Sequence, residues 1–404
     1  MNIEEKFSKL GVENAPGQED RQQSDGIEVI GGQLEGAPVD FSHGDVDAHA
    51  PIPGSLAQFT EGVTKAGNSQ AYTEYRGAAS IRKETAEKIS DFAGVSIDPE
   101  ENIIITPGTQ GALFLAVGSM IAAGDKATII QPDYFDNRKM IEFFEAEPIP
   151  VELNYHETEK GAGLDLDGLE ASFKSGVKLF IFSNPNNPTG SIYSKEEIEG
   201  IAELAGRYGV TVIADELYSR QVFDGRDYHH LAAEPSMDPE AIISVIGPSK
   251  TESLSGYRLG IAFGSKTIID RMEQLQAIVS LRASGYNQAV LKQWFSEPEG
   301  WMAARIQAHQ NIRDDLIKIL RMAEGVQVRP TEAGSYLFPK LPELKVSIVE
   351  FAKILRIQAG VTVTPGTEFG AQFTNSFRIN FSQDHDKAVS AIKRVTTLLE
   401  RYRK

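Results

Sequence analysis

From about residue 60 to residue 285 the chain alternates short apolar runs with stretches of helical period, and few folds accommodate that alternation. The runs are NIIITPG (102–108), KATIIQP (126–132), KLFIFSNP (178–185), VTVIADE (210–216), AIISVIG (241–247) and GIAFGS (260–265). Each is rich in Ile, Val or Phe and stops at Gly, Pro, Asp or Ser, as strands buried on both faces do. Between them, GALFLAVGSMIAAG and SKEEIEGIAELAGRYG have helical spacing. The second opens with Ser194 and carries Glu197 three residues on, the spacing of a capping box. This order predicts an α/β fold: a mainly parallel sheet flanked by helices. Ligands of such sheets sit at the carboxyl ends of the strands, and candidate chemistry is sought there.

The flanking regions read differently. Residues 1–40 are polar and predict an N-terminal arm, mobile or wrapped on another subunit. Residues 286–325 read as one long helix that includes WMAARIQAHQNIRDDLIKILRMAEG. Beyond it, strand-like SYLFPKL and FRINFSQ and helical SIVEFAKILRIQAG predict a smaller α+β domain. The expected division is a large domain over 61–300 and a small domain built from 41–60 and 301–404.

Composition narrows the partners. A net charge of −17 disfavours nucleic acid and anionic membrane surfaces, although local arginines still permit a small anionic substrate. The sequence holds no cysteine, which removes disulfide and thiolate chemistry. MNIEEKFSKL lacks the apolar centre of a signal peptide, and no run reaches the roughly 18 apolar residues of a span. A cytoplasmic location without membrane contact is the expectation. No metal is expected: His229 and His230 are adjacent, so they point apart, and no cysteine supports them. RDDLIKILR reads as a solvated helix face.

Six segments carry candidate chemistry. In SKTESLSGYRLG (249–260), Lys250 follows a small hydroxyl residue and Arg258 sits eight positions on. Lysine is the side chain that forms a Schiff base with an aldehyde cofactor, and arginine suits a phosphate dianion. Alone the string also reads as a polar loop. ITPGTQGALFLA (105–116) is a glycine turn between strand and helix, where backbone N–H groups and Thr109 can hold a phosphate; plain turn chemistry is the alternative. Tyr134, in QPDYF, can stack on a planar ring or serve as a rim aromatic. SNPNNPTG (183–190) uses prolines to hold Asn187 rigidly. VIADELYS (212–219) puts Asp215 at the end of an apolar run, where a carboxylate needs a cation such as a protonated pyridine nitrogen. Tyr218 lies three residues on; a capping aspartate is the alternative. SFRINFSQ (376–383) places Arg378 in an apolar strand, suited to a substrate carboxylate or to a structural salt bridge.

Together these segments resemble the fold-type I pyridoxal-phosphate enzymes, in the class I/II aminotransferase family, from about Phe41 to the C-terminus. The resemblance implies a large domain with a seven-stranded mainly parallel sheet, a small α+β domain, pyridoxal 5'-phosphate as cofactor, and a homodimer with shared active sites. It implies that Lys250 is the Schiff-base lysine and proton shuttle, and that Asp215 partners the pyridine nitrogen. Tyr218 and Asn187 would donate to the ring's phenolic oxygen, with Tyr134 stacked on the ring. Gly108, Thr109 and Gln110 form the implied phosphate loop, Arg258 the phosphate arginine, and Tyr72 the tyrosine that reaches the neighbouring subunit's phosphate. Arg378 would clamp the substrate α-carboxylate, with Asn187 and the Gly44 turn lining the substrate pocket.

One departure stands out. Relatives often read Ser-x-Ser-Lys, whereas this chain has Gly247 at the first place and Ser249 as a compensating candidate. Arg282, in SLRASGYNQ, falls near the arginine with which aspartate aminotransferases bind a side-chain carboxylate across the dimer; an ordinary helix arginine is the alternative.

Three functions follow as expectations. The first is transfer of an amino group from an L-amino acid to a 2-oxo acid by a ping-pong route. The second is a lyase, decarboxylase or cyclising synthase on the same scaffold, since the fold does not choose which bond breaks. The third is a non-catalytic cofactor-binding regulator, disfavoured by acidity and by only about 40 residues before the resemblance begins.

Overall fold

A computed structural model describes residues 2–11, 27–44, 47–65, 73–158 and 160–404. Its strands are β1 (Val39–Asp40), β2 (Ile103–Pro107), β3 (Lys126–Gln131), β4 (Glu147–Glu152), β5 (Leu179–Ser183), β6 (Thr211–Asp215), β7 (Ile242–Ile246), β8 (Leu259–Gly264), β9 (Tyr336–Leu337), β10 (Val361–Thr362), β11 (Thr364–Pro365) and β12 (Phe377–Asn380). The helices are α1 (Ile3–Ser8), α2 (Ser55–Lys65), α3 (Ala79–Ala93), α4 (Gly108–Met120), α5 (Phe135–Phe143), α6 (Leu166–Lys174), α7 (Lys195–Tyr208), α8 (Lys266–Val279), α9 (Gly285–Gln288), α10 (Trp301–Met322), α11 (Ile348–Ile354) and α12 (His385–Tyr402).

Seven strands form one sheet in the order β2-β8-β7-β6-β5-β3-β4. β8 runs antiparallel to both neighbours, and the other pairings are parallel. The sheet is therefore mainly parallel, as the alternation predicts. Side chains alternate across it with the period of two that strands impose. Ile181, Ile213 and Ile243 enter a core shared with α4, α5 and α8. Phe180, Phe182, Val212 and Ile242 face the opposite core, with Ile198 and Ile201 of α7. A separate apolar cluster joins α10, α11 and α12 to β1, β9 and β12.

Ser194 and Glu197 form the expected capping box, with Ser194 N–H donating to Glu197 at 2.7 Å. Glu197 does more than the motif requires. It also accepts from the backbone of Ala162, Gly163 and Leu164, pinning that loop to α7.

One strand lies outside the sequence expectations, and one expected helix needs correction. β4 reads EPIPVE and has neither alternation nor a continuous apolar run. It forms because it lies at the sheet edge and pairs with β3 alone, where Pro148 and Pro150 remove no donor that a second neighbour would use. The expected helix over 286–325 is broken. α9 ends at Gln288, and α10 begins after Pro298 and a left-handed Gly300. The helix at 347–360 ends with a π turn over Leu355–Ala359, capped by left-handed Gly360.

Of the arm expected over 1–40, α1 rests on α5, with Lys6 4.5 Å from the Phe143 ring and Phe7 edge-on to the same ring. No helix among the described residues is long and apolar enough to cross a membrane.

Candidate active site

The carboxyl ends of β2, β3, β5, β6 and β7 meet at one end of the sheet. The register sets Ser183 of β5 beside Asp215 of β6, and Asp215 beside Val245 of β7. β8 is antiparallel, so its amino end arrives at the same place and brings Arg258 beside the β2–α4 turn, with Leu259 opposite Pro107. A cavity of about 620 Å³ opens there. Thr109, Gln110, Tyr134, Asn187, Asp215, Tyr218, Ser249, Lys250, Arg258 and Arg378 all line it, although they are spread over 270 residues of sequence. Gly44 lines an adjoining pocket that shares Tyr218, Ser249 and Lys250. Tyr72 lies outside the described residues.

The glycine turn is built for an anion. Gly108 opens α4 at φ 80°, and no side chain caps the helix. A Cβ at Gly108 would stand 2.4 Å from Arg258 Nη2, so the glycine lets the guanidinium lie over the turn. Gly260 is packed so closely that its Cβ would meet the Thr109 nitrogen at 2.3 Å. Free N–H groups at the start of α4 and one guanidinium thus converge.

The family described as aminotransferase class I and II matches residues 39–395. The chain belongs to that family. An aspartate aminotransferase from Sulfurisphaera tokodaii is 28% identical over 336 residues, covering 81% of this chain and 82% of the relative. An aromatic-amino-acid aminotransferase from Thermococcus litoralis is 25% identical over 330 residues, covering 81% and 84%. The crystal structure of an aspartate aminotransferase from Rhodobacter sphaeroides superposes with a TM-score of 0.96 at 58% identity and covers 100% of both chains. Members of the family generally use pyridoxal phosphate.

In this aminotransferase the loop after β3 is anchored by a residue that sequence reading passes over. Asp133 accepts from the Ser183 backbone at 2.9 Å, from its hydroxyl, and from the Tyr134 backbone at 2.6 Å. Burial pushes Asp133 up to about 7 despite those donors. Tyr134 is thereby held against the cavity. Its hydroxyl donates to Gln110 at 3.0 Å and to Asp136 at 2.9 Å, and burial beside Asp136 raises it well above the ordinary phenol value.

Asp215 is 7% exposed and also pushed up to about 7 by burial, with the Leu217 N–H at 3.2 Å opposing the rise. A cation placed against it from the cavity would lower it again. Tyr218 pairs hydroxyl to hydroxyl with Tyr336 at 2.7 Å, and burial keeps it neutral by raising it well above its usual value. Tyr336 is another participant that lies within a strand-like string and gives no signal of its own.

Arg378 is buried. Nη1 donates to Asn187 Oδ1 at 3.0 Å and Nη2 to the Ser42 carbonyl at 2.9 Å, while Nε has no partner among the described residues. Ser249 donates to the Leu259 carbonyl at 3.4 Å. Gly247 has a packing reason: a Cβ there would stand 2.8 Å from Thr109 Cγ2. Arg282 does not line the cavity. It follows the end of α8 rather than lying in a helix, and its guanidinium sits 4.8 Å from the Tyr75 ring. His230 Nδ1 donates to the Glu216 carboxylate at 2.6 Å.

Proposed function

We propose that this aminotransferase holds pyridoxal 5'-phosphate in the cavity at Lys250 and moves an amino group from an L-amino acid to a 2-oxo acid by a ping-pong route. The observation that carries the reading is Asp215: a buried carboxylate on the cavity wall with one backbone donor and space for a cation. The residues fit the group. Asp215 would take the pyridinium N–H, Tyr134 would lie against the ring, and Gly108, Thr109, Gln110 and Arg258 would hold the phosphate. Asn187 and Tyr218 would donate to the phenolic oxygen. Ser249 has its hydroxyl turned to a carbonyl and supports the turn. When bound, the cofactor supplies an aldehyde and an electron-withdrawing ring that spreads the charge left as a bond at Cα breaks.

The chain's own part is positioning and proton transfer. Arg378 clamps the α-carboxylate, with Asn187 and the Gly44 turn beside it. Lys250 Nζ would take the α-proton and hand it to the carbon that carries the cofactor's aldehyde. Buried Asp215 fixes the charge of the ring nitrogen. Aspartate and aromatic amino acids in the relatives' names indicate the substrate class, with aspartate favoured by the 58% identical structure. Arg282 and Tyr72 would act only across a homodimer. Exposed Ile278, Val279 and Leu281 at the end of α8 supply an apolar surface for such pairing. The cytoplasm is the compartment that fits these substrates.

Hydride reduction of the holoenzyme tests this reading, because it fixes the cofactor to whichever lysine carries it. Peptide mass mapping should place the adduct on Lys250. An adduct elsewhere, or none, would contradict the assignment.

A further inference from the structure

Four lysine or arginine side chains line the cavity among the described residues. Lys250, Arg258 and Arg378 have roles above. Lys139 has none. It lies on the cavity face of α5, one turn after Phe135, with Asp136, Met140 and Phe143 on the same side. The residue is 7% exposed. Its ammonium nonetheless makes no hydrogen bond or ion pair with any described residue; the Phe135 ring centroid, 5.0 Å away, is its close neighbour. Asp136 and Glu368 feel its charge from beyond contact distance. Asp136 is engaged elsewhere, accepting from Tyr134 at 2.9 Å and from Gln110 at 3.1 Å. The ammonium is not sealed in the core either, since it is absent from the polar atoms cut off from the surface. Lys139 itself lines the cavity.

A nearly buried ammonium with no carboxylate in contact is unfavourable, and such groups are normally paired. The missing anion has a natural source. Arg378 stands 5.9 Å from the centroid of the same Phe135 ring. Two positive charges therefore stand 5.0 and 5.9 Å from one ring centroid on the wall of one cavity. We propose that Lys139 is a specificity-determining residue whose ammonium binds the distal carboxylate of a dicarboxylic amino or 2-oxo acid held by Arg378. This rests on the reading of Arg378 as the α-carboxylate clamp. It places recognition of the acidic side chain within one protomer, without Arg282 of a second copy.

The test uses holoenzyme carrying Lys139→Met or Lys139→Arg. For K139M, the ratio of kcat/KM for aspartate to that for alanine should fall roughly 10- to 100-fold, the value of a charge-assisted hydrogen bond. K139R should retain most of the ratio. Succinate affinity, measured by calorimetry, should fall by a similar factor relative to propionate. That binding measurement needs no turnover, so it stands even if wild-type enzyme transfers no amino group, a result that would sink the aminotransferase reading instead. A constant aspartate-to-alanine ratio, with parallel losses on both, would show that Lys139 acts through Asp136 and would overturn the proposal. So would unchanged succinate binding.

Discussion

Asn187 Oδ1 accepts a hydrogen bond from Arg378 Nη1 at 3.0 Å, and this contact joins the loop after β5 to strand β12, 191 residues on in sequence. It orients both partners. Arg378 is buried and aimed by the amide oxygen, while no described residue takes the Asn187 amide nitrogen, which faces the cavity. A rigid SNPNNPTG loop matters because it fixes this amide: Asn187 N–H donates to Ser183 Oγ at 3.0 Å, and Asn186 donates to the Pro132 carbonyl at 3.1 Å.

Replacing Asn187 with Ala leaves a buried guanidinium N–H without an acceptor. That costs about 1–3 kcal/mol, so propionate binding to the holoenzyme should weaken roughly 10- to 100-fold. Calorimetric titration measures it. Unaltered binding would mean that Arg378 is held in place without Asn187.

Asp215 should make stability depend on pH and on cofactor. Burial raises it from 3.8 to about 7, so between those values the folded chain keeps a proton that the unfolded chain has released. Its contribution to stability is full below the unfolded value and is lost as pH rises through the folded one. In cofactor-free protein, Asp215→Asn should remove this loss, at most about 4 kcal/mol by pH 8. Bound cofactor should abolish the advantage of the variant, because a cation favours the ionised carboxylate. Denaturant unfolding at pH 5 and pH 8, with and without cofactor, checks both signs. A variant with the wild-type pH slope would refute the assignment.

Restoring the serine common in relatives should do harm here. Gly247→Ser forces a Cβ against Thr109 Cγ2, at a cost of roughly 1–3 kcal/mol. Thr109→Ser removes the obstructing methyl, so the double variant should recover part of the loss in a thermal unfolding cycle. Additive losses would mean that the two positions do not press on one another.

Much of this site was legible in the sequence because its residues lie in strings with no better structural use. Lys250 and Arg258 share one turn, Asn187 sits among prolines, and Asp215 ends an apolar run. The parallel sheet was legible for the same reason: each strand is a dense apolar run with a clear stop. β4 was not, since an edge strand can carry Pro148 and Pro150 without penalty. The break between α9 and α10 was marked by Pro298 and Gly300, but helical spacing on both sides masked it. Asp133, Lys139 and Tyr336 gave no local signal. An aspartate in a turn, a lysine on a helix and a tyrosine in a strand are all ordinary until the fold turns them toward one cavity. Arg282, in turn, lies against Tyr75, 4.8 Å from its ring centroid.

The central claim is that one cavity, built around Lys250 and Asp215, takes an amino group from one substrate and gives it to another. The most direct measurement is the visible absorption of the holoenzyme during titration with aspartate and then with a 2-oxo dicarboxylic acid. The account predicts that the colour is lost with one equivalent of aspartate per site and restored by one equivalent of the oxo acid. Colour that persists while aspartate is consumed with release of ammonia or carbon dioxide would contradict it.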